Sequence, residues 1–430
     1  MKPSSTRNDD LFAGMERLSE DEFVRQVRLR NPTVAQMTAA VKAATARYPQ
    51  VASWEDPRAG ATVGPASIGS PNVEFAYRLE ISQAIPFPGK LGLRGESALR
   101  EAAAAGADLD DTLLQLTESA RNAFIDYFQV ARAKEVNEEG LKLLREIRDN
   151  AATRYRNGQG EQQDVLQADV AIARQQEKAS TLERVQRIAQ ARINTLLNRT
   201  PDHALPAPPK DLPPIPLLRP ANELRESAIE HRPDITAMRA RTAADESRVA
   251  LALKEYYPDF EVMAAYDAFW QRPEQDLRPM VGFRLNLPVQ MGRRDAAVAE
   301  GQARVAQRRA ELARLISAIG LQVQEAYEQA KETERSLKLY EESALPAARE
   351  NVRLARAAYA TGKVPFLNLI EAQRNLVELR ERQLELIAEA RRRRAALDRA
   401  IGTSPGVEAG ATPLLLPSTN LDNSHLPTKS

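Results

Sequence analysis

Side chains able to do chemistry are placed sparingly in this 430-residue chain. There is no cysteine, which removes disulfides and thiolate metal sites. The three histidines, His203, His231 and His425, have no spacing that would build a metal centre. No Ser/His/Asp set, glycine-rich phosphate loop or paired-carboxylate constellation occurs at useful spacing. One pattern does recur. Tyr155-Arg-Asn-Gly158 leads into Asp164-Val-Leu-Gln-Ala168, and Tyr359-Ala-Thr-Gly362 leads into Asn368-Leu-Ile-Glu-Ala372, 204 residues later. A glycine that stops a helix, beside a phenol, a carboxylate and a carboxamide, suits a turn held by hydrogen bonds and able to present charge. It does not suit bond-making, and no enzyme is expected.

Each motif lies between two helical stretches, so each reads as the turn of a long helical hairpin. From about Arg94 to Arg156 no proline occurs, and Leu109, Leu113, Leu116, Ala120, Ala123, Tyr127 and Val130 recur in steps of three and four. That is a coiled-coil seam, and such a helix extends roughly 90 Å. A partner helix is expected from about Glu161 to Leu197. The second half has a proline-free run from Gly292 to Leu345, an entry at Pro346, the turn at Gly362, and a last helix ending near Ile401-Gly402.

Ahead of each hairpin the order is also shared. Helices break at Asn31-Pro32 and Arg232-Pro233, and end at Asp56-Pro57 and Tyr257-Pro258, both pairs offset by 201. Period-two strands follow. Val73, Phe75, Tyr77, Leu79 and Ile81 alternate with polar neighbours up to Ile85-Pro-Phe-Pro-Gly-Lys90; Phe260, Val262, Ala264 and Tyr266, then Val281, Phe283, Leu285 and Leu287, do the same in the second half. Pro86 and Pro288 are offset by 202. Landmarks of four kinds holding an offset of 201 to 204 mark an internal duplication. The divisions are residues 1–18, disordered; 19–199, first repeat; 200–221, a proline-rich linker packed along something or free in solvent; 222–402, second repeat; and 403–430, a disordered tail.

Composition agrees with long helices around narrow seams: aromatics are 5% and charged residues 28%. A formal charge of +1 leaves no basic excess for nucleic acid. The run Arg391-Arg392-Arg393-Arg394 reads as a solvated stretch of the last helix. No apolar run reaches the roughly 20 residues of a membrane-spanning helix. Two strands of about nine to eleven residues per half would cross a bilayer when tilted. Four strands are too few to enclose a channel, and lipid tolerates no open sheet edge. Three chains would pool twelve strands and continue them with twelve helices.

The chain resembles the TolC-type outer-membrane efflux proteins over about residues 19–402, through the duplication, the Asn31-Pro32 break, the Gln83-Ala-Ile-Pro-Phe-Pro-Gly-Lys90 exit and the two Tyr-x-x-Gly turns. The Pro-Phe-Pro-Gly-Lys form looks most like the branch paired with heavy-metal cation exporters. The resemblance implies a mainly α fold with a small β part: tandem helical hairpins forming a trimeric α-barrel, continued by a twelve-stranded β-barrel in the outer membrane. It implies a homotrimer, a periplasmic adaptor and an inner-membrane pump as partners, and no cofactor. By position, Tyr155, Gly158, Tyr359 and Gly362 would be tip residues that dock the adaptor, and Asp164, Asn368 and Glu371 would form the pore gate. Members often carry two aspartates where this chain has Asn368 and Glu371. A ring of three Glu371 still favours cations, with half the formal charge.

Met1–Leu18 lacks the apolar core of a secretory leader. Alone, that points to the cytoplasm and to a soluble coiled-coil scaffold; with the resemblance, it points to a truncated or misassigned start. A periplasmic adaptor would need flanking all-β domains, which the sequence does not offer.

Overall fold

The computed structural model describes residues 11–12, 14–69, 71, 75–267 and 279–403. The tail from 404 onward lies outside them. Helices α1 (Glu20–Arg30) and α2 (Pro32–Ala52) lead to strands β1 (Arg58–Val63) and β2 (Tyr77–Ile85), then to the hairpin of α3 (Lys90–Arg156) and α4 (Gln162–Leu196). The second repeat follows as α5 (Ala221–His231), α6 (Pro233–Lys254), β3 (Phe260–Asp267), β4 (Pro279–Leu285), α7 (Met291–Leu339), α8 (Leu345–Ala360) and α9 (Phe366–Ala400).

The helix breaks serve the fold in a shared way. Pro32 has no N–H to give, so α1 stops and Asn31 caps α2, its side chain accepting from the Thr33 N–H at 3.0 Å. The same side chain donates to the carbonyl of Leu196, at the end of α4, at 3.0 Å. At the equivalent break Arg232 donates to the carbonyl of Ala400, at the end of α9, at 3.2 Å. Each repeat thus closes on itself, with the entry helix satisfying an orphan carbonyl of the exit helix. Those exits are both left-handed, Asn198 at φ 56° and Gly402 at φ 73°. Gly402 has a second reason to be glycine: a Cβ there would lie 3.0 Å from the Arg232 backbone.

This gives a prediction that separates strain from crowding. Gly362 shares the left-handed conformation, at φ 71°, but has open space around it. Gly362→Ala is expected to cost about 1 kcal/mol in left-handed strain alone. Gly402→Ala adds a backbone clash and should cost clearly more, read as the shift in urea midpoint of the two variants.

Pro346 lies inside one long helical run rather than breaking it. A single π-helical turn at Tyr340–Ala344 joins α7 to α8 just before the proline, widening the helix where its ring would meet the preceding turn.

The sheet has the order β1-β2-β3-β4, all antiparallel, so the two repeats meet at the β2–β3 pair. Its strands are six to nine residues long, shorter on the whole than expected from sequence. β1 was not legible as a strand. Expected positions 73 and 74 lie outside the described residues, and Phe75 precedes β2 rather than belonging to it. Register places Ala59, Ile81, Ala264 and Val281 in one row, and Ala61, Leu79, Tyr266 and Pro279 in the next. That face is apolar and largely exposed, with Ile81 53%, Val281 80% and Phe283 77% accessible. The opposite face carries Arg58, Arg78, Glu80, Glu261, Asp267 and Arg284. Among the described residues β1 and β4 each leave one edge unpaired.

Near the helix ends two expectations are corrected, and one of two alternatives for the proline-rich segment holds. Within residues 11–18, expected to be disordered, Phe12 and Leu18 are buried with Phe23, Phe124 and Ile193. Arg17 bridges Ala207, and the Leu18 N–H donates to the Ala207 carbonyl at 2.8 Å. The proline-rich segment is fastened rather than free, because its carbonyls find side-chain donors. Tyr127 donates to Pro206 at 3.2 Å, Arg132 to Pro209 at 3.2 Å, and Arg391 and Arg394 to Pro213 and Pro216. Arg391–Arg394 is therefore not simply solvated. Arg392 pairs with Asp126 at 2.9 Å, and Arg394 with the buried Asp398 at 3.3 Å. Burial pushes the carboxyls of Glu20 and Asp398 up, against the pull of Arg121, which reaches both.

Candidate functional site: the hairpin tips

The two turns are built alike. Asn157 and Thr361 end their helices, Gly158 and Gly362 turn the chain at φ 69° and 71°, and the next N–H bonds to the carbonyl five residues back. Gln159 donates to Arg154 at 2.8 Å and Lys363 to Ala358 at 2.9 Å, a Schellman closure in each case.

The tyrosines diverge. Tyr359 is buried with Ile147, Ala151, Ala168, Phe366 and Leu369, its ring edge-on to Phe366 at 5.2 Å. Its phenol donates to Asp164 at the start of α4, at 3.2 Å. Arg154 of α3 covers its ring at 4.6 Å and donates to its carbonyl at 2.5 Å. One residue of α8 thereby ties together α3, α4 and α9. Burial, then the charge of Asp164 and the hydrogen bond to it, hold the phenol above the ordinary tyrosine value. The neutral donor is thus present below that value and lost only as pH rises above it, so the lock is insensitive to pH near neutrality. Tyr155, at the equivalent place in the first turn, does not pack in the same way: it is 47% exposed. Sequence reasoning missed Arg154, which has no counterpart in the second motif, where Ala358 stands.

The residues expected at the gate are brought together only in part. Asp164 is half-buried under Tyr359, whereas Asn368 and Glu371 are exposed on α9. Glu371 borders a groove of about 590 Å³ between α4 and α9. Among the described residues no cluster of three or more histidines or carboxylates is placed to hold a metal.

A further constellation joins sheet to helices, at the Pro-Phe-Pro-Gly-Lys exit. Lys90, fully buried, points its Nζ at Asp259 (2.9 Å), Glu255 (3.3 Å) and the carbonyl of Tyr257 (3.4 Å). The Phe87 N–H donates to Asp259 Oδ1 at 2.7 Å, and the Phe87 ring stacks on Tyr257 at 4.6 Å. The exit motif is thus a clasp between the repeats.

These features define a duplicated helical-hairpin protein whose four-stranded sheet has one apolar, exposed face. The chain belongs to the outer membrane efflux protein family, whose model matches residues 23–199 and 224–403. It is 22% identical over 335 residues to the pyoverdine export outer membrane protein OpmQ of Pseudomonas putida, a match spanning 77% of this chain and 71% of that one. Among solved structures it is similar to the outer-membrane channel OprN, at 22% identity and TM-score 0.76, covering 90% of this chain and 91% of that one. VceC of Vibrio cholerae matches at 20% identity and TM-score 0.73, covering 90% and 96%. CusC matches at 16% identity and TM-score 0.75, covering 90% and 92%. These likenesses share the mainly α fold with its small sheet.

Proposed function

We infer that this protein is the exit duct of a tripartite efflux system, a homotrimer that conducts substrates passively across the outer membrane when docked to a periplasmic adaptor and an inner-membrane pump. The observation that carries the reading is the sheet: among the described residues it has four strands, one face apolar and exposed, the other charged, and both edges open. In lipid an open edge leaves backbone groups without partners, so the strands must join those of other copies. Three copies give twelve strands with the apolar face to lipid and the charged face to the lumen. The helical layer supports the same assembly. Leu166, Val170 and Ile188 on α4, and Leu321, Leu339 and Leu354 on α7 and α8, are exposed leucines, valine and isoleucine on the layer's outlying helices. The tips dock the adaptor through the Gly158 and Gly362 turns, with Tyr155 as an exposed contact, and Asp164, Asn368 and Glu371 form the gate.

The test is the mass and outline of the protein expressed behind an added signal peptide and extracted from outer membranes in mild detergent. Three chains per particle, shaped as a long hollow cylinder, are expected. A monomer or dimer that never enters the membrane fraction sinks the duct and leaves a coiled-coil scaffold.

A further inference from the structure

We propose that residues 413–417 form a second proline strap, laid across α7 of their own chain and tied to α4 of a neighbouring copy, so that each tail staples two copies together. The proposal rests on the homotrimer reading for that second tie. The first strap shows what such a segment does. After α4 the chain runs through Thr200-Pro201 to Pro209-Lys-Asp-Leu-Pro213. Proline has no N–H with which to ladder, so the carbonyls of the segment need donors from elsewhere. Arg132 of α3 donates to the Pro209 carbonyl and Arg391 of α9 to that of Pro213, while Leu212 packs on the core beneath. After α9 the same frame returns at the 204-residue offset of the hairpin tips: Ser404-Pro405, then Pro413-Leu-Leu-Leu-Pro417. At that offset Ile193 and Leu197 of the first repeat match Leu397 and Ile401 of the second, all four buried, so the two segments leave equivalent helix ends. The reach is equal too, since Pro209 lies ten residues beyond Arg199 and Pro413 ten beyond Thr403. Three adjoining leucines between prolines are costly in water and call for a cover.

The bed for such a strap exists on α7. At an offset of 203, Leu116, Ala120, Tyr127 and Val130 of α3 match Ile319, Val323, Ala330 and Thr333 of α7, and all eight are buried. The match fails where the first strap lies. Phe124, wholly buried in the core on which Leu212 packs, corresponds to Tyr327, which is only half-buried. Arg132, which holds the first strap, corresponds to Arg335, exposed and with no hydrogen bond or ion pair among the described residues. Lys134 and Lys210 line one crevice between α3 and the first strap, and their equivalents, Leu337 and Leu414, are both apolar. Bed and strap have thus changed character together, which keeps them complementary.

Helix neighbours decide what holds the far end. α3 packs on α2 and α4 of its own repeat and on α6 and α9 of the other. α7 packs on α6 and α9 of its own repeat, but among the described residues its chain supplies no matching α2 and α4. In a closed ring of copies those two helices come from the next one. Arg391, the donor to Pro213, corresponds at the 204-residue offset to Arg187 of α4, which is exposed and has no partner among the described residues. Arg335 of one copy and Arg187 of the next are therefore the two donors, one for the carbonyl of Pro413 and one for that of Pro417.

The chain has no cysteine, so introduced thiols report without background. In the assembled protein in detergent, a Leu415→Cys thiol is expected to react with a water-soluble maleimide about tenfold more slowly than in urea, or slower still. Labelling as fast as in urea overturns the strap. Arg187→Cys combined with Ser418→Cys, treated with a short bismaleimide, should give bands of two and three chains on a denaturing gel, and neither variant alone should do so. No bridge, a bridge confined to one chain, or bands from a single variant overturns the tie between copies. Leu415→Ser with Leu416→Ser should speed subunit exchange about tenfold at unchanged mass, and an unchanged exchange rate overturns the staple. The mass of the unaltered protein keeps two failures apart. A trimer without cross-linked bands overturns the staple and leaves the duct, whereas a monomer removes the duct and the staple with it.

Discussion

Tyr359→Phe combined with Asp164→Ala is expected to raise the single-channel conductance of the protein in a planar bilayer by about tenfold or more, with no change in the mass of the assembly. The reasoning starts from one hydrogen bond, Tyr359 to Asp164 at 3.2 Å, made to a charged acceptor in a half-buried setting. Such bonds contribute about 1.5–3 kcal/mol. Removing it from each copy shifts a closed–open equilibrium by at least a factor of ten, if the copies move together. Besides this bond, α8 is held here by the apolar cluster of Tyr359 with Ile147, Ala151, Ala168, Phe366 and Leu369, and by Arg154. Arg154→Ala should therefore open the channel further in the same background. Unchanged conductance in the double variant removes these residues from the gate and leaves Tyr359 as a core residue.

That lock also shows what a sequence does and does not make legible. The duplication, the helix breaks and the turns could be read because each rests on local chemistry: proline without an N–H, glycine at positive φ, apolar steps of three and four. β1 escaped because Arg58-Ala-Gly-Ala-Thr-Val63 has almost no contrast between its faces. Gly60 is small for a reason visible only in space, since a Cβ there would meet Glu80 at 3.1 Å. Arg391, Arg392 and Arg394 of α9 looked solvated because Asp126 and the carbonyls of the proline segment that they reach are 178 or more residues away. Two equal motifs, Tyr-x-x-Gly, suggested two equal tyrosines. Their environments differ because Arg154 precedes Tyr155, and its guanidinium covers the Tyr359 ring of the other hairpin. Pseudo-symmetry of the backbone does not carry over to side chains that cross between repeats.

The clasp at the sheet–helix junction carries the largest stability prediction, and its sign depends on which partner is removed. Lys90 is fully buried, while Asp259 is 33% and Glu255 45% exposed at the side chain. Asp259→Ala strands an ammonium that has no route to water, keeping only the longer contacts to Glu255 and the Tyr257 carbonyl. It also deprives the Phe87 N–H of its acceptor. Breaking a buried pair from that side costs about 3–5 kcal/mol. Lys90→Met leaves the opposite orphan, a carboxylate already part-solvated, and fills the vacated space with an apolar chain of similar length, so it should cost distinctly less. The double variant Lys90→Met/Asp259→Ala is then expected to be more stable than Asp259→Ala alone, because the stranded charge is gone. Urea midpoints of the four proteins in a double-mutant cycle give the answer. If the two single variants cost the same and the double variant costs their sum, the lysine is not held by its carboxylates. The Pro-Phe-Pro-Gly-Lys exit would then owe its form to the Phe87–Tyr257 stack and to the turn at Gly89, with φ 92°, rather than to the charge it buries.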